Sequence, residues 1–316
     1  MKKWLLLGLL ALCGIFVTGL AAEDEDAADD YIKWVDFDIP LAVMKQAYKY
    51  DVDSKGELDF VQLLAYAAAK NWGSFRYRGE SEALSKVVAR VRAGEYLHTI
   101  ASELKLYEFY FSVYNAVLGN FIGHFEKDGE VVYGLKAFSP IAKNYHYSHS
   151  DDFGNPRSYG YRRPHLGHDM FGSVGTPIIA VECGVVEALG WNQYGGWRIG
   201  IRTHDTKRYY YYAHLQRDKP YAQNIALGSH VRAGDVIGYL GNSGYSRREN
   251  VCNIKDPHLH FGLQIIFNEA QKDGNNQIWI DTYNLIRFLN QNRMPTTRGE
   301  GGEAVRAVST DSLPLE

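Results

Sequence analysis

Seven of the eleven histidines fall between residues 165 and 260, at positions 165, 168, 204, 214, 230, 258 and 260. Two groups have a spacing that could do chemistry. His165-Leu-Gly-His-Asp169 sets an imidazole and a carboxylate four residues apart, which aligns them on a strand or a helix, and Gly167 argues for extended structure. In Pro257-His258-Leu-His260-Phe261 two histidines flank one apolar residue on a run that reads as a strand, so both point to the same face. Neutral imidazole and carboxylate suit zinc, and three protein ligands with one open position is the catalytic arrangement. His165, Asp169, His258 and His260 are therefore four candidates for three positions, which leaves a histidine over for proton transfer. His214 ends the run Tyr209-Tyr-Tyr-Tyr212-Ala-His214, where alternation would put Tyr210, Tyr212 and His214 on one face. Alone, such a histidine is more often a satisfied core residue. Beside two other clusters it becomes part of a constellation.

The elements that must position these residues are short. Beyond residue 165, TPIIAVECGVVEALG, WRIGIRTHD, RYYYYAHL, HVRAGDVIGYLG and HLHFGLQII are β-branched or aromatic runs broken by glycine, the pattern of an antiparallel all-β domain. IDTYNLIRFLNQN reads as a closing helix, and the stretch 296–316, rich in Gly, Glu, Ser and Thr, as a disordered tail. Residues 36–124 have helical character instead. Pro40 suits a first helical turn before LAVMKQAYKY, and Gly73, Gly94 and Gly119 close three further amphipathic runs. The expected fold is α+β: a small N-terminal helical bundle over 36–124, a connecting structured loop over 125–164 and a β-rich catalytic domain over 165–292. Lone His98 and His124 in the helical part read as core or surface histidines.

Composition bounds the partners. Hydrophobic residues are 46% and charged residues 22%, as in ordinary globular chains. Residues 23–30 read EDEDAADD, an acidic linker taken to span 23–35. Apart from those six acids and Lys2 and Lys3, the charges nearly balance, 32 basic against 31 acidic from totals of 34 and 37. That leaves no basic field for nucleic acid. Residues 1–22 join two lysines to an uncharged stretch from Trp4 to Ala22, which fits an export signal or a retained membrane anchor. Either places the rest of the chain outside the cytoplasm. Lipidation of Cys13 is disfavoured by Leu12 before it. Cys183 and Cys252 read as small buried apolar residues rather than a disulfide or a nucleophile.

Over roughly 138–290 the sequence resembles the lysostaphin-type zinc endopeptidases, which cut peptidoglycan cross-bridges and stem peptides. The resemblance rests on HLGHD, YAHL and PHLHF, with GTPIIAVECGVVEALG, GGWRIGI and GSHVRAGDVIGYLGNSG between them in the family's order. It implies a barrel-sandwich-like sheet and one zinc ion held by His165, Asp169 and His260, with His258 and His214 as two catalytic histidines that are not ligands. The implied chemistry is amide hydrolysis by zinc-activated water. His258 would move the proton, and His214, helped by Tyr212, would stabilise the tetrahedral intermediate. The implied partner is a peptidoglycan peptide, with membrane contact only through residues 4–22.

Arginines 157, 162, 163, 247 and 248 flank the clusters and could clamp stem-peptide carboxylates, with Arg163 taken as a substrate contact. His168 reads as a surface histidine, and Asp151-Asp152 as loop-organising residues with no claim as ligands. GNSGYS is no nucleophile elbow, because glycine follows the serine directly. A carrier-domain reading of GSHVRAGDVIGYLG lacks the lysine at a hairpin tip. A catalytically silent envelope scaffold is the alternative; degenerate members usually lose ligands, and all five residues are present.

Overall fold

In a computed structural model, residues 37–75, 79–272 and 276–312 are described. The export signal or anchor expected over 1–22 and the acidic linker over 23–35 lie outside the described residues. No helix among the described residues is long and apolar enough to cross a membrane.

Five helices open the described chain: α1 Leu41–Ser54, α2 Phe60–Lys70, α3 Glu80–Arg92, α4 Leu97–Ser102 and α5 Tyr107–Leu118. Pro40 precedes α1 directly, and Asp59 caps α2 by accepting the Gln62 N–H at 2.7 Å. Helix α2 is apolar around its whole circumference and is buried accordingly, from Phe60 to Ala69 except Gln62.

The region expected as a connecting loop begins with a hairpin, β1 Ile122–Lys127 and β2 Glu130–Leu135. Three two-residue strands follow, β3 Tyr147–Ser148, β4 Pro156–Arg157 and β5 Arg163–Pro164. The β domain then runs β6 His168–Gly172, β7 Pro177–Ile179, β8 Gly184–Asn192, β9 Gly196–Thr203, β10 Arg208–Ala213, β11 His230–Val231, β12 Val236–Tyr239, β13 His258–Ile265 and β14 Ile278–Trp279. Its main sheet has the order β11-β8-β9-β10-β13-β6-β3, with β14 on β13, and each of these pairs is antiparallel. One face carries Ile199, Ile201, Tyr210, Tyr212, Phe261 and Leu263, all buried. The opposite face carries Tyr209, Tyr211, Gln264 and His260, and lines a cavity.

Helix α6 Tyr283–Leu289 closes the domain where a closing helix was expected. Phe288 on it stacks with Phe60 of α2 at 5.5 Å and meets Tyr48 of α1 edge-on at 5.6 Å. Asp51 of α1 accepts the Tyr133 hydroxyl of β2 at 2.6 Å. Helices and strands thus pack together, and the described residues fall within one compact unit. The stretch after Thr296 departs from the disordered tail its composition suggested. It forms β15 Thr296–Arg298, β16 Ala304–Arg306 and β17 Thr310–Ser312, and β17 pairs with β1. Composition ignores what an unpaired strand edge offers, and β1 supplies a row of backbone partners. Met294, Ala304 and Val308 pack with Phe138 and Ile179 beneath it.

Candidate metal centre and cleft

Register builds the first half of the site. Strands β6 and β13 pair so that Asp169 lies directly opposite His260, and His260 lies opposite Ala213 of β10. Cross-strand partners share a face, so carboxylate and imidazole project together. His165 arrives from the loop before β6. The hairpin of β4 and β5 folds that loop back, with the Gly154 N–H on the His165 carbonyl at 2.8 Å and the His165 N–H on the Asn155 carbonyl at 2.9 Å.

Three donor atoms then converge. His165 Nε2 lies 2.8 Å from His260 Nδ1 and 3.1 Å from Asp169 Oδ1, and His260 Nδ1 lies 3.1 Å from Asp169 Oδ1. Ligands about 2.0 Å from a tetrahedral zinc ion stand roughly 3.3 Å from one another, so this triangle fits the donor set of such a site. Gly167 is required by the packing: a Cβ there would sit 2.6 Å from the His260 ring and 2.7 Å from the Phe261 carbonyl.

The partners of these groups fix which atoms face inward. His165 Nδ1 lies 3.1 Å from both the Asp152 carbonyl oxygen and its Oδ2, acceptors that take the Nδ1 proton and leave Nε2 to the cluster. Arg157 bridges the two carboxylates, donating through Nη2 to Asp152 Oδ2 at 2.7 Å and to Asp169 Oδ2 at 2.9 Å. Burial alone would pull His165 down. Its bonds to Asp152 and Asp169 outweigh burial and push it up to about 9. Burial would likewise raise Asp169, but the bonds from His165 and His260 hold it well below the usual carboxylate range.

Two further histidines face the cluster. His258 projects from β13 on the same face as His260; its Nδ1 donates to the Asp256 carbonyl at 2.7 Å, and its Nε2 stands 3.7 Å from Asp169 Oδ1. His214 gives its Nδ1 proton to the Ser243 carbonyl at 3.0 Å, with ring centroids 4.8 Å from His258 and 5.9 Å from His260. Burial first, then the neighbouring histidines, keep His214 well below its ordinary value and hence neutral. A carbonyl only accepts, so both rings carry a proton on Nδ1, and neutral His214 presents a bare Nε2.

Strict alternation misplaces the tyrosines. Strand β10 ends at Ala213, and His214 takes the left-handed conformation with φ 60°, which swings its side chain to the cavity side. Tyr212 is fully buried on the opposite face, where its hydroxyl accepts the Val181 N–H at 3.1 Å and its ring meets Phe261. The expected substrate contact at Tyr212 is therefore a core residue. Tyr211, beside His260 at 5.8 Å, lines the cavity instead.

Other expectations divide. Arg163 does line the cavity, its guanidinium 4.7 Å from the Tyr194 ring centre and bonded to the Tyr159 carbonyl at 2.6 Å. His168 is buried rather than on the surface, with Nε2 2.6 Å from His149 Nδ1. Strand β6 turns it inward because Asp169 beside it faces the cavity and neighbours alternate. Asp152, expected only to organise its loop, and His149 are both part of the surroundings of the site; no local spacing marks them, since their partners lie 13 and 19 residues on. Cys183 and Cys252 are not bonded to each other.

Residues 163–275 match peptidase family M23. This stretch is similar to the peptidases of that family. The L-Ala–D-Glu endopeptidase of Bacillus subtilis is 39% identical over 147 residues, 46% of this chain and 43% of that protein. Lysostaphin of Staphylococcus simulans is 37% identical over 98 residues, 31% of this chain and 17% of that protein. The chain spans less than half the length of either relative. A crystal structure from Ruminococcus gnavus, described as a glycyl-glycine endopeptidase, has the same fold at a TM-score of 0.56, 21% identity, 84% of this chain and 92% of that one.

Proposed function

We propose that this protein is an exported zinc endopeptidase that hydrolyses peptide bonds of bacterial peptidoglycan. The observation that supports it most is the convergence of His165 Nε2, His260 Nδ1 and Asp169 Oδ1 within about 3 Å of one another, beside two histidines whose outer nitrogens are tied to carbonyls. Those three residues would hold one zinc ion. When bound, zinc supplies Lewis acidity and a water whose pKa falls to about 7. The relatives named for endopeptidase activity, one on an L-Ala–D-Glu bond, support a peptidoglycan peptide as substrate. The lysines and apolar stretch at the N-terminus support export to where that polymer lies.

The chain's own part in hydrolysis follows from the tautomers. The attacking water has two protons, and the Nε2 atoms of His214 and His258 are the two acceptors assigned to them in this reading. His258, nearer the carboxylate ligand, takes one proton and delivers it to the leaving amine, work typically worth about 10²–10⁴-fold. Neutral His214 orients the water as an acceptor; it can donate to a developing oxyanion only after gaining a proton at Nε2, which refines the donor role implied by resemblance. Arg157 and Asp152 hold the ligands in place, and Tyr211 walls the cleft.

The test is digestion of defined muropeptides by the zinc-loaded protein, with products read by mass and metal content measured in parallel. One equivalent of zinc and a single new amine terminus per cut are expected. A folded protein that binds no zinc and releases nothing would sink the reading and favour a silent scaffold.

A further inference from the structure

The cleft that contains the metal cluster is a cavity of about 450 Å³, and four cationic side chains line it: Arg157, Arg163, Arg198 and Lys272. Their partners differ. Arg157 is taken by Asp152 and Asp169, and Lys272 by Glu187. Arg163 spends one nitrogen on the Tyr159 carbonyl and lies over the rings of Tyr194 and Tyr161. Arg198, on β9, is different: among the described residues no carboxylate lies within salt-bridge distance and its side chain makes no hydrogen bond. Its Nε is buried with no partner at all. Leaving such a donor unmet costs about 1–3 kcal/mol, more for a charged group, so a guanidinium held this way in a cleft is a site waiting for an acceptor.

We infer that Arg198, with Arg163 in the same cleft, reads a free carboxylate on the substrate, so that this cleft takes acidic stem-type peptides in preference to neutral glycine bridges. The inference rests on the peptidase reading for the identity of the peptide, but the binding preference stands on the cleft alone. The chemistry is specific. A guanidinium matches a carboxylate with two parallel N–H donors, whereas a carboxamide offers one acceptor and sets an N–H against the fork. Arg202, the next residue but three on β9, lacks this freedom because Glu187 and Glu269 occupy it.

The experiment compares two ligands on the zinc-loaded full chain: acetyl-L-Ala-γ-D-Glu-L-Lys carboxamide, whose one free carboxylate is the α-carboxylate of the glutamyl residue, and the same peptide with that group as an amide. Binding is read by calorimetry and cleavage by mass. The acid should bind about 10- to 100-fold tighter than the amide. Arg198→Met should bring that ratio close to one by weakening the acid only, and Arg198→Lys should retain part of it, with zinc content unchanged and melting temperature no lower in both. Equal or absent binding of the two ligands by the native protein, or a ratio that survives in Arg198→Met, overturns the inference. Should Arg198→Met fail to fold, Arg198→Lys decides: an unchanged ratio there overturns it as well. Tight, acid-selective binding without any cleavage supports carboxylate recognition and counts against the peptidase reading instead.

Discussion

Two buried polar clusters sit on opposite faces of the same pair of strands, β10 and β13, and they are built to opposite ends. On the core face Glu182 accepts Arg208 Nε at 2.7 Å, the Tyr210 hydroxyl at 2.5 Å and Asn120 Nδ2 at 3.1 Å. Arg208 in turn reaches the Ala116 carbonyl at the end of α5 at 2.9 Å and Asp205 at 2.8 Å. Every charge there meets a complementary partner, and the cluster ties helix to sheet. At the centre of the cavity face an Asp169 oxygen and the imidazole nitrogens of His165 and His260 converge, with the Nε2 atoms of His214 and His258 beside them. Their donors have been drawn off by the Asp152, Ser243 and Asp256 carbonyls. A closed network stabilises a fold. A set of converging lone pairs stabilises nothing until a proton or a cation joins it.

The comparison is broken most directly at His260. His260→Ala should abolish zinc binding and lower hydrolysis by at least about 10⁴-fold, while His214→Ala should keep the zinc and lose about 10²–10⁴-fold in turnover. Metal analysis beside kcat separates the two, and a His214→Ala enzyme of normal rate removes that residue from the mechanism. Next comes the closed cluster. Glu182→Ala leaves Arg208 buried with only Asp205 opposite, so it should destabilise the fold by about 3 kcal/mol, roughly 5 °C in melting temperature, with zinc affinity unchanged. Loss of zinc binding without loss of stability would contradict the division of labour drawn here.

A smaller effect sharpens the open cluster. Asp152→Asn should weaken zinc binding by about 10- to 100-fold, because His165 and Arg157 lose the carboxylate they share and only the backbone carbonyl still holds the His165 ring. Competition with a chelator measures this, and excess zinc should restore the rate. A further effect is in pH. With His165 pushed up to about 9, the metal-free site holds a proton that zinc must displace. Zinc affinity should therefore rise by about tenfold per pH unit from the ordinary histidine range near 6.5 up to about 9, then level off. The same proton supports the metal-free fold. That contribution is fully present below about pH 6.5 and is lost as pH rises through about 9, so the metal-free protein should melt lower at pH 9 than at pH 6.5. Equal calorimetric zinc titrations at pH 7 and pH 9 would count against it.

Local pattern carried much of this. The helical first part, the antiparallel β domain and the closing helix were legible, because burial on one face imposes periods of 3.6 and 2 on the apolar residues. The hairpin β1–β2 and the strands of the C-terminal stretch were not, since their strands exist through pairing with distant backbone that composition does not record. His258 and His260 followed from alternation, and Asp169 opposite His260 from a register that only the fold supplies. Alternation failed at His214 for a definable reason: one residue with φ 60° at the strand end reverses the face, so Tyr212 goes to the core and Tyr211 to the cleft.

By itself, then, the sequence determined which residue types were on hand for chemistry and which stretches would be strand or helix, because these depend on side-chain type and near neighbours. Tertiary structure alone decided that Asp152 and Arg157 serve the ligands, that His168 lies inward beside His149, and that Arg198 is left without a partner. Each of those is a statement about which acceptor lies nearby across a fold. Distances of a few ångströms between residues far apart in the chain are set by packing, which no local spacing encodes.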